Sequence, residues 1–147
     1  MAINLKKAEL DNIPKLLEIE KSVAETKIYS AMLSENEWQH EIQNNTVYII
    51  EKDSEAVGSV SYENKGENHV YISGLVIDPR FQNQGIARQV MDLVLEEHKD
   101  IKRIDLVTHP DNHPALKLYQ SLGFIIESRQ ENYFGDGEPR LVLVLEK

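Results

Sequence analysis

Hydrophobic residues along the chain fall into short apolar runs and longer helical stripes, and their order predicts the fold class. Seven runs of the first kind predict strands at residues 2–5, 46–51, 56–62, 70–77, 104–108, 124–129 and 140–145. Helical spacing predicts four helices, over residues 12–23, from Ser34 onward, from the loop after Pro79 to about His98, and over residues 112–121. Strands predominate and two late strand–helix–strand units follow, so we expect an α+β fold in which helices flank a mixed sheet.

Residues with strong local preferences mark the ends of several of these elements. Asp11 is placed to cap the first helix, and Pro14 lies in its first turn, where a missing N–H costs little. Ser34 and the glutamate three residues later fit a capping box. Residues 53–55 (Asp-Ser-Glu) predict a hairpin between the second and third strands.

The composition excludes several classes of function. The 147 residues include 16 basic and 25 acidic side chains, and the formal net charge of −9 disfavours a nucleic-acid surface and suits cationic partners better. The chain has no cysteine, which excludes a disulfide framework, a thiolate nucleophile and a cysteine-ligated metal. No apolar run approaches the roughly 18–20 residues that span a bilayer, and the first ten residues lack secretory character. We therefore expect one soluble cytoplasmic domain over residues 1–147, with neither nucleic-acid nor membrane partners.

A glycine-containing loop separates the strand at 70–77 from the most amphipathic predicted helix. A turn before a helix aims unpaired backbone N–H groups outward at the positive end of the helix dipole, and this arrangement binds phosphate or pyrophosphate without lysine. Gly85 removes the side chain that would block close approach, and Ala87 is small enough to pack tightly on the sheet. A P-loop and a dinucleotide fingerprint are both excluded, because the lysine and the further glycines that they require are missing. A plain turn is the alternative that the spacing leaves open.

Two longer motifs give the chain a resemblance to the GNAT superfamily of acyl-CoA-dependent N-acetyltransferases. Residues 75–87 (LVIDPRFQNQGIA) are similar to the superfamily's strand, its (V/I)-x-P and its (Q/R)-x-x-G-x-(G/A) motif. Residues 112–124 (NHPALKLYQSLGF) resemble its N-x-x-A-x-x-L-Y-x-x-x-G-F segment. The order of elements agrees over essentially the whole chain. The resemblance implies a three-layer fold, with a mostly antiparallel sheet of about seven strands that contains a splayed pair, flanked by about four helices.

The same resemblance implies acetyl-CoA as co-substrate and assigns residues to it. In the superfamily the pantetheine arm bonds to the splayed strand like an added strand, and the pyrophosphate lies in the loop that follows. Tyr119 matches the tyrosine that protonates the departing thiolate, a role that suits a phenol of pKa around 10. The implied cofactor positions are Leu75, Val76, Ile77, Gln82, Asn83, Gln84, Gly85, Ile86, Ala87, Arg88, Asn112, Ala115 and Tyr119.

The general base is where the chain departs from the superfamily pattern. Many members place a glutamate on the strand before the loop, where this chain has Ser73, and a serine is too weakly basic to take a proton from an ammonium group. A water held by backbone carbonyls around Ser73 and Gly74 is one candidate relay, and the other candidate bases are Glu63, Glu131 and Asp136. The sequence does not rank them.

The acceptor site is implied by position in the chain. Residues 131–140 resemble the hairpin that borders the acceptor site in the GNAT branch acting on protein N-termini and small amines, although Asp136-Gly137 also fits a plain hairpin tip. Trp38 is both a candidate wall of this site and a natural packing residue. The candidates for acceptor contact are Tyr29, Glu37, Trp38, Tyr133, Asp136 and Glu138.

These features give one functional expectation with three alternatives. We expect direct transfer of the acetyl group to a primary amine of a small cationic acceptor in a ternary complex, because no cysteine is present to carry the acetyl group. The alternatives are a protein N-terminal acetyltransferase, a catalytically weak acyl-CoA-binding regulatory module and a nucleotide-binding signalling domain. No metal is expected, since prolines interrupt the spacing between His109 and His113. A homodimer stays open.

Overall fold

The computed structural model describes residues 3–24, 28–29 and 31–147, and Ala2, the first residue of the first predicted strand, lies outside them. The strands are β1 (Ile3–Lys7), β2 (Thr46–Lys52), β3 (Glu55–Gly66), β4 (His69–Ile77), β5 (Arg103–Thr108), β6 (Ile125–Gln130) and β7 (Arg140–Glu146). The helices are α1 (Ile13–Lys21), α2 (Glu35–Asn44), α3 (Ile86–Glu97) and α4 (His113–Ser121), with two short 3-10 turns at Leu10–Asn12 and Pro79–Phe81. The predicted strands and helices are confirmed, and β3 differs most because it continues to Gly66.

All seven strands belong to one sheet with the order β1-β2-β3-β4-β5-β7-β6. Every neighbouring pair is antiparallel except β4 and β5, which are parallel. The crossover between those two strands contains α3, as a parallel connection requires. The expected α+β class and the mixed, mostly antiparallel sheet are confirmed.

The parallel pair at the centre of the sheet separates halfway along its length. β4 is in register with β5 only from His69 to Ile72, whose partner is Leu106. The register of β4 against β3 also shifts here, because Gly74 pairs with Ser61 and Ile72 with Tyr62, so that Ser73 is an extra residue. A bulge bends its strand and ends regular pairing, which explains the splay. Residues 74–77 therefore pair with β3 alone among the described strands.

Two apolar clusters pack against opposite faces of the sheet. Along β2, Val47 and Ile49 join the cluster under α1 and α2, whereas Ile50 joins the cluster under α3 and α4. Alternation of side chains along a strand places them on these two faces. Helices on both faces give the expected three layers. No helix in the described ranges is long and apolar enough to cross a lipid bilayer.

The local signals were right at one helix and wrong at another. The Ser34 hydroxyl accepts a hydrogen bond from the Glu37 N–H at 3.1 Å, so this predicted cap is confirmed. Asp11 does not cap α1, because it lies inside the 3-10 turn Leu10–Asn12. The N-cap of that turn is Glu9, whose N–H donates to Asn12 Oδ1 at 2.8 Å. The capping contacts therefore precede the 3-10 turn and do not lie directly before α1.

Candidate functional site

Two cavities meet where β4 leaves β5. A cavity of about 520 Å³ lies beside the loop after β4, and we call it the loop-side cavity. A second, of about 330 Å³, lies under α1 and α2, and we call it the helix-side cavity. Both are lined by Ile28, Tyr29, Leu75, Asn112 and Tyr119. The site is therefore one cleft through the gap in the sheet, with Tyr119 at the junction.

The loop-side cavity is built around the N-terminus of α3. Gly85 caps this helix with a φ of 79° and without a side-chain hydrogen bond, so the first-turn N–H groups lack a capping side chain. The strand end is held separately, because the Asp78 carboxylate accepts from the Arg80 N–H at 2.9 Å and pairs with the Arg80 guanidinium at 3.0 Å. The predicted cofactor residues that line this cavity are Leu75, Ile77, Gln82, Asn83, Gly85, Ile86, Ala87, Arg88, Asn112, Ala115 and Tyr119.

The side chains of two predicted cofactor residues do not line the loop-side cavity, although both positions are expected to bind the cofactor through their backbone groups. The Gln84 side chain is turned away from the loop-side cavity and accepts a hydrogen bond from Lys52 Nζ at 2.8 Å. Val76 lines the helix-side cavity, where its buried side chain packs with Ile19 and Val23. Alternation along β4 separates Val76 from its neighbours, whose side chains face the other cavity.

Tyr119 is buried near the start of the last turn of α4, with its ring centroid 6.0 Å from that of Phe124. Burial raises the pKa of the Tyr119 hydroxyl, and the nearby Tyr29 raises it further. A phenol held in this way keeps its proton until a strong base appears beside it. Asn112 starts α4 by accepting from the Ala115 N–H at 3.4 Å.

Two carboxylates line the helix-side cavity, and only one of them, Glu37, was predicted from the sequence. Glu20, on α1, is only 6% exposed, and Glu37, on α2, lines the same cavity. The pKa of Glu20 is raised to about 7, mainly because the carboxylate is buried. A hydrogen bond from the Met32 N–H lowers this pKa, and the nearby charge of Glu37 raises it by a smaller amount. One signal was present in the sequence, since Glu20 occupies an expected apolar position in the stripe that contains Leu16 and Val23.

Ser73 lies in the wall of the helix-side cavity and is engaged on two sides. Its hydroxyl donates to Glu41 Oε1 at 3.1 Å and contacts the Ser61 hydroxyl at 3.0 Å. The bulge therefore brings a carboxylate from α2 next to the serine, a contact between residues far apart in sequence that no motif indicated.

The three acidic residues named as alternative bases lie outside both cavities. Glu63 is 3.6 Å from Lys65 Nζ, and Glu131 pairs with Arg129 at 2.8 Å. Asp136 pairs with Arg140 at 3.0 Å. Asp136, which was expected to attract an amine, instead forms an ion pair with the neighbouring guanidinium of Arg140.

The hairpin before β7 supplies one aromatic wall. Phe134, rather than the predicted Tyr133, lines the helix-side cavity, and the exposed Tyr133 ring contacts it edge-on at 4.8 Å. Trp38 is both core and wall, because it is 2% exposed, lines the cavity and donates from Nε1 to the Met32 carbonyl at 3.0 Å.

His109 lies buried at the far end of the helix-side cavity in a fixed orientation. Its Nδ1 accepts from the Asp111 N–H at 3.0 Å, so Nε2 carries the proton and donates to Glu138 at 2.8 Å. Glu138, a candidate for amine contact, is thereby paired with the histidine. Within residues 3–24, 28–29 and 31–147, no group of three or more histidine, aspartate or glutamate side chains is arranged to hold a metal ion.

The fold and the cleft bring together two cavities at a buried tyrosine, one beside the N-terminus of α3 and the other lined by carboxylates. The family model "Acetyltransferase (GNAT) family" matches residues 13–124, and the chain belongs to this family. A 69-residue segment is 35% identical to the L-amino acid N-acetyltransferase AaaT of Escherichia coli, covering 45% of this chain and 43% of that protein. The matched segments span 21% to 48% of the curated relatives' own lengths.

Solved structures share the fold at low sequence identity. The ribosomal-protein-S18-alanine N-acetyltransferase of Escherichia coli superimposes with a TM-score of 0.82 at 17% identity, covering 99% of this chain and 94% of that one. The protein yncA of Salmonella typhimurium, solved with its cofactor acetyl-CoA, gives a TM-score of 0.78 at 15% identity over 99% of this chain and 94% of that one. At these identities the similarity establishes the architecture.

Proposed function

We propose that this protein is an N-acetyltransferase that transfers the acetyl group of acetyl-CoA directly to a primary amine. The observation that carries the proposal is the single cleft in which an anion-binding loop, the unpaired edge of β4 and buried Tyr119 converge. Family membership and the acetyl-CoA bound to the similar yncA fold support it.

The residues of the loop-side cavity fit the phosphate-bearing cofactor. A Cβ placed on Gly85 would meet no atom within 4 Å, so the space beside the loop backbone is open. The first-turn N–H groups of α3 offer hydrogen bonds to a pyrophosphate, and Arg88 adds a positive charge to the lining of this cavity in a chain of net charge −9. The edge of residues 73–77 offers backbone groups to an amide-bearing chain, as a sheet edge does for an added strand.

The chemistry follows from the groups at the junction. Acetyl-CoA supplies an activated acetyl group as a thioester, whose sulfur leaves as a thiolate when an amine nitrogen takes its place. Tyr119 holds a proton at the gap between the two cavities and donates it to that sulfur. A ternary complex is the expected kinetic mechanism, because a cysteine-bound acetyl intermediate is impossible in a chain without cysteine.

The acceptor that suits the helix-side cavity best is a small cationic amine. Glu20 and Glu37 give the cavity negative charge, and Trp38 and Phe134 give it aromatic walls that attract an ammonium group. The second candidate is a protein N-terminus, favoured by the structural likeness to the ribosomal-protein-alanine enzyme. Both carry a primary amine, and they differ in the space that they need beyond it.

An acetylation screen tests the proposal. The protein is incubated with acetyl-CoA and a panel of polyamines, amino acids and N-terminal peptides, and the products are identified by mass spectrometry. Tyr119→Phe should lower kcat by about 10²–10⁴-fold, the usual contribution of a general acid. Tyr48→Phe is the matched control. Tyr48 lies on β2 and lines neither cavity, so this variant should keep full activity. Acetyl-CoA binding without turnover on any acceptor would instead favour the acyl-CoA-binding module.

A further inference from the structure

Glu20 lies close to the unpaired edge of β4. Its chain neighbour Ile19, together with Val23, packs on Val76, so the last turn of α1 covers the splayed part of the strand. The Glu20 side chain lines the helix-side cavity that Leu75 and Tyr119 also line. Glu20 therefore lines the same cavity as Tyr119, the proposed acid.

The position of the carboxylate is fixed by α2. The Met32 N–H donates to Glu20, and the Met32 carbonyl accepts from Trp38 Nε1 at 3.0 Å. Trp38 is itself 2% exposed and locked in the core. This chain of contacts holds Glu20 through the backbone of a single residue, Met32, and a proton acceptor needs such positioning.

The charges around Glu20 leave it without a cation from the described part of the chain. Glu37 faces it from α2, and Tyr29 and Tyr119 carry neutral hydroxyls into the cavity. At the far end, Arg140 is paired with Asp136, and the proton on His109 Nε2 is donated to Glu138. An ammonium group entering the cavity would supply the positive charge that the carboxylates lack.

We propose that Glu20 is the proton acceptor for the amine, in the role that a carboxylate in place of Ser73 would otherwise fill. This inference rests on the proposed acetyltransferase function. A pKa of about 7 supports it, because a base titrating near neutral pH is ionised enough to accept a proton and basic enough to hold it. Glu41, which also lies beside Ser73, does not line the cavity.

The protons balance as follows. The acceptor enters as an ammonium ion, and Glu20 takes one proton, which leaves a neutral amine with a free lone pair. As the nitrogen–carbon bond forms and the carbon–sulfur bond breaks, sulfur keeps the bonding electrons and receives the Tyr119 proton. Tyr119 regains a proton from the nitrogen. The products are an amide, a free thiol and one proton that Glu20 releases to water.

The test is the pH profile of kcat/KM for the whole protein with acetyl-CoA and an acceptor found in the screen. Two acceptors whose ammonium pKa values differ separate an enzyme group from the substrate, because an enzyme limb stays at the same pH for both. The wild type should show an acid limb near pH 7. Glu20→Gln should remove this limb and lower kcat/KM by about 10²–10⁴-fold, with acetyl-CoA affinity unchanged by calorimetry. Glu20→Asp should restore part of the rate together with the limb.

Neighbouring carboxylates supply the controls. Glu18→Gln, on the exposed face of α1, should leave the profile unchanged. Glu37→Gln should move the acid limb to lower pH, because it removes a like charge near Glu20. If Glu20→Gln does not fold, this shift tests whether Glu20 is the proton acceptor. A retained limb in Glu20→Gln, its loss in Glu41→Gln instead, or no shift in Glu37→Gln overturns the inference while the acetyltransferase stands. A wild type that acetylates no acceptor overturns both.

Discussion

Replacing Glu20 by glutamine should make the stability of the protein less dependent on pH. The pKa of Glu20 rises from 4.5 to about 7 on folding, because the carboxylate loses water and faces Glu37. A folded pKa above the unfolded one means that the folded state holds the proton more tightly. The stabilisation is therefore fully present below pH 4.5 and is lost as the pH rises through 7.

The size of the effect follows from the same shift. Each unit of pKa corresponds to about 1.4 kcal/mol, so ionising Glu20 in the folded state costs on the order of 3 kcal/mol by pH 8. Glutamine still offers a carbonyl oxygen to the Met32 N–H but carries no charge. Relative to the wild type, Glu20→Gln should therefore gain up to about 3 kcal/mol in unfolding free energy between pH 4.5 and pH 8.

Urea unfolding followed by circular dichroism between pH 4.5 and 8.5 measures this difference. Glu18→Gln, which removes an exposed carboxylate from the same helix, corrects for the general effect of lost negative charge. After this correction, the gap between Glu20→Gln and the wild type should widen as the pH rises from 4.5 to about 7 and then level off. A gap that stays constant across the range would show that Glu20 titrates alike in the folded and unfolded chain, and the reasoning about its burial would be wrong.

Three further substitutions test other parts of the site. Gly58→Ala would place a Cβ 2.2 Å from the Val76 carbonyl oxygen, so β4 must shift; unfolding in urea should show a loss of about 1–3 kcal/mol, and unchanged stability would contradict this. Gly85→Ala puts a side chain on a residue with a φ of 79°, and should weaken acetyl-CoA binding by calorimetry while costing roughly 1–2 kcal/mol of stability. Trp38→Phe removes the hydrogen bond to Met32 and should lower stability by about 1 kcal/mol and shift the acid limb of kcat/KM; equal profiles would show that Met32 is held by other contacts.

Local sequence was sufficient where a residue's role depends on its near neighbours. Ser34 caps α2 because the amide that it accepts lies three residues away. The interruption of β4 at Ser73 and Gly74 was visible as a break in an apolar run, and it became the bulge from which the splay starts. Asp11 shows the limit, since an unrecognised 3-10 turn moved the helix start away from it.

Pairing between polar side chains could not be predicted from motifs. Gln84 stands inside the best-matched motif, yet its side chain bonds to Lys52 on β2. Asp136 was a candidate for amine contact, but it pairs with buried Arg140. In both cases another side chain of the folded protein binds the polar group that the motif left available.

The sequence by itself determined the strands, the helices and the glycine-containing loop before α3, because periodicity, capping and a single glycine act over a few residues. Tertiary structure alone decided which carboxylate lines the acceptor cavity. Glu20 is one glutamate among many along the chain, and its pKa is raised only because the folded chain buries it, with a smaller raising effect from Glu37 on α2. Desolvation depends on what surrounds a group in space, so the proton acceptor of this cleft emerged only from the folded arrangement.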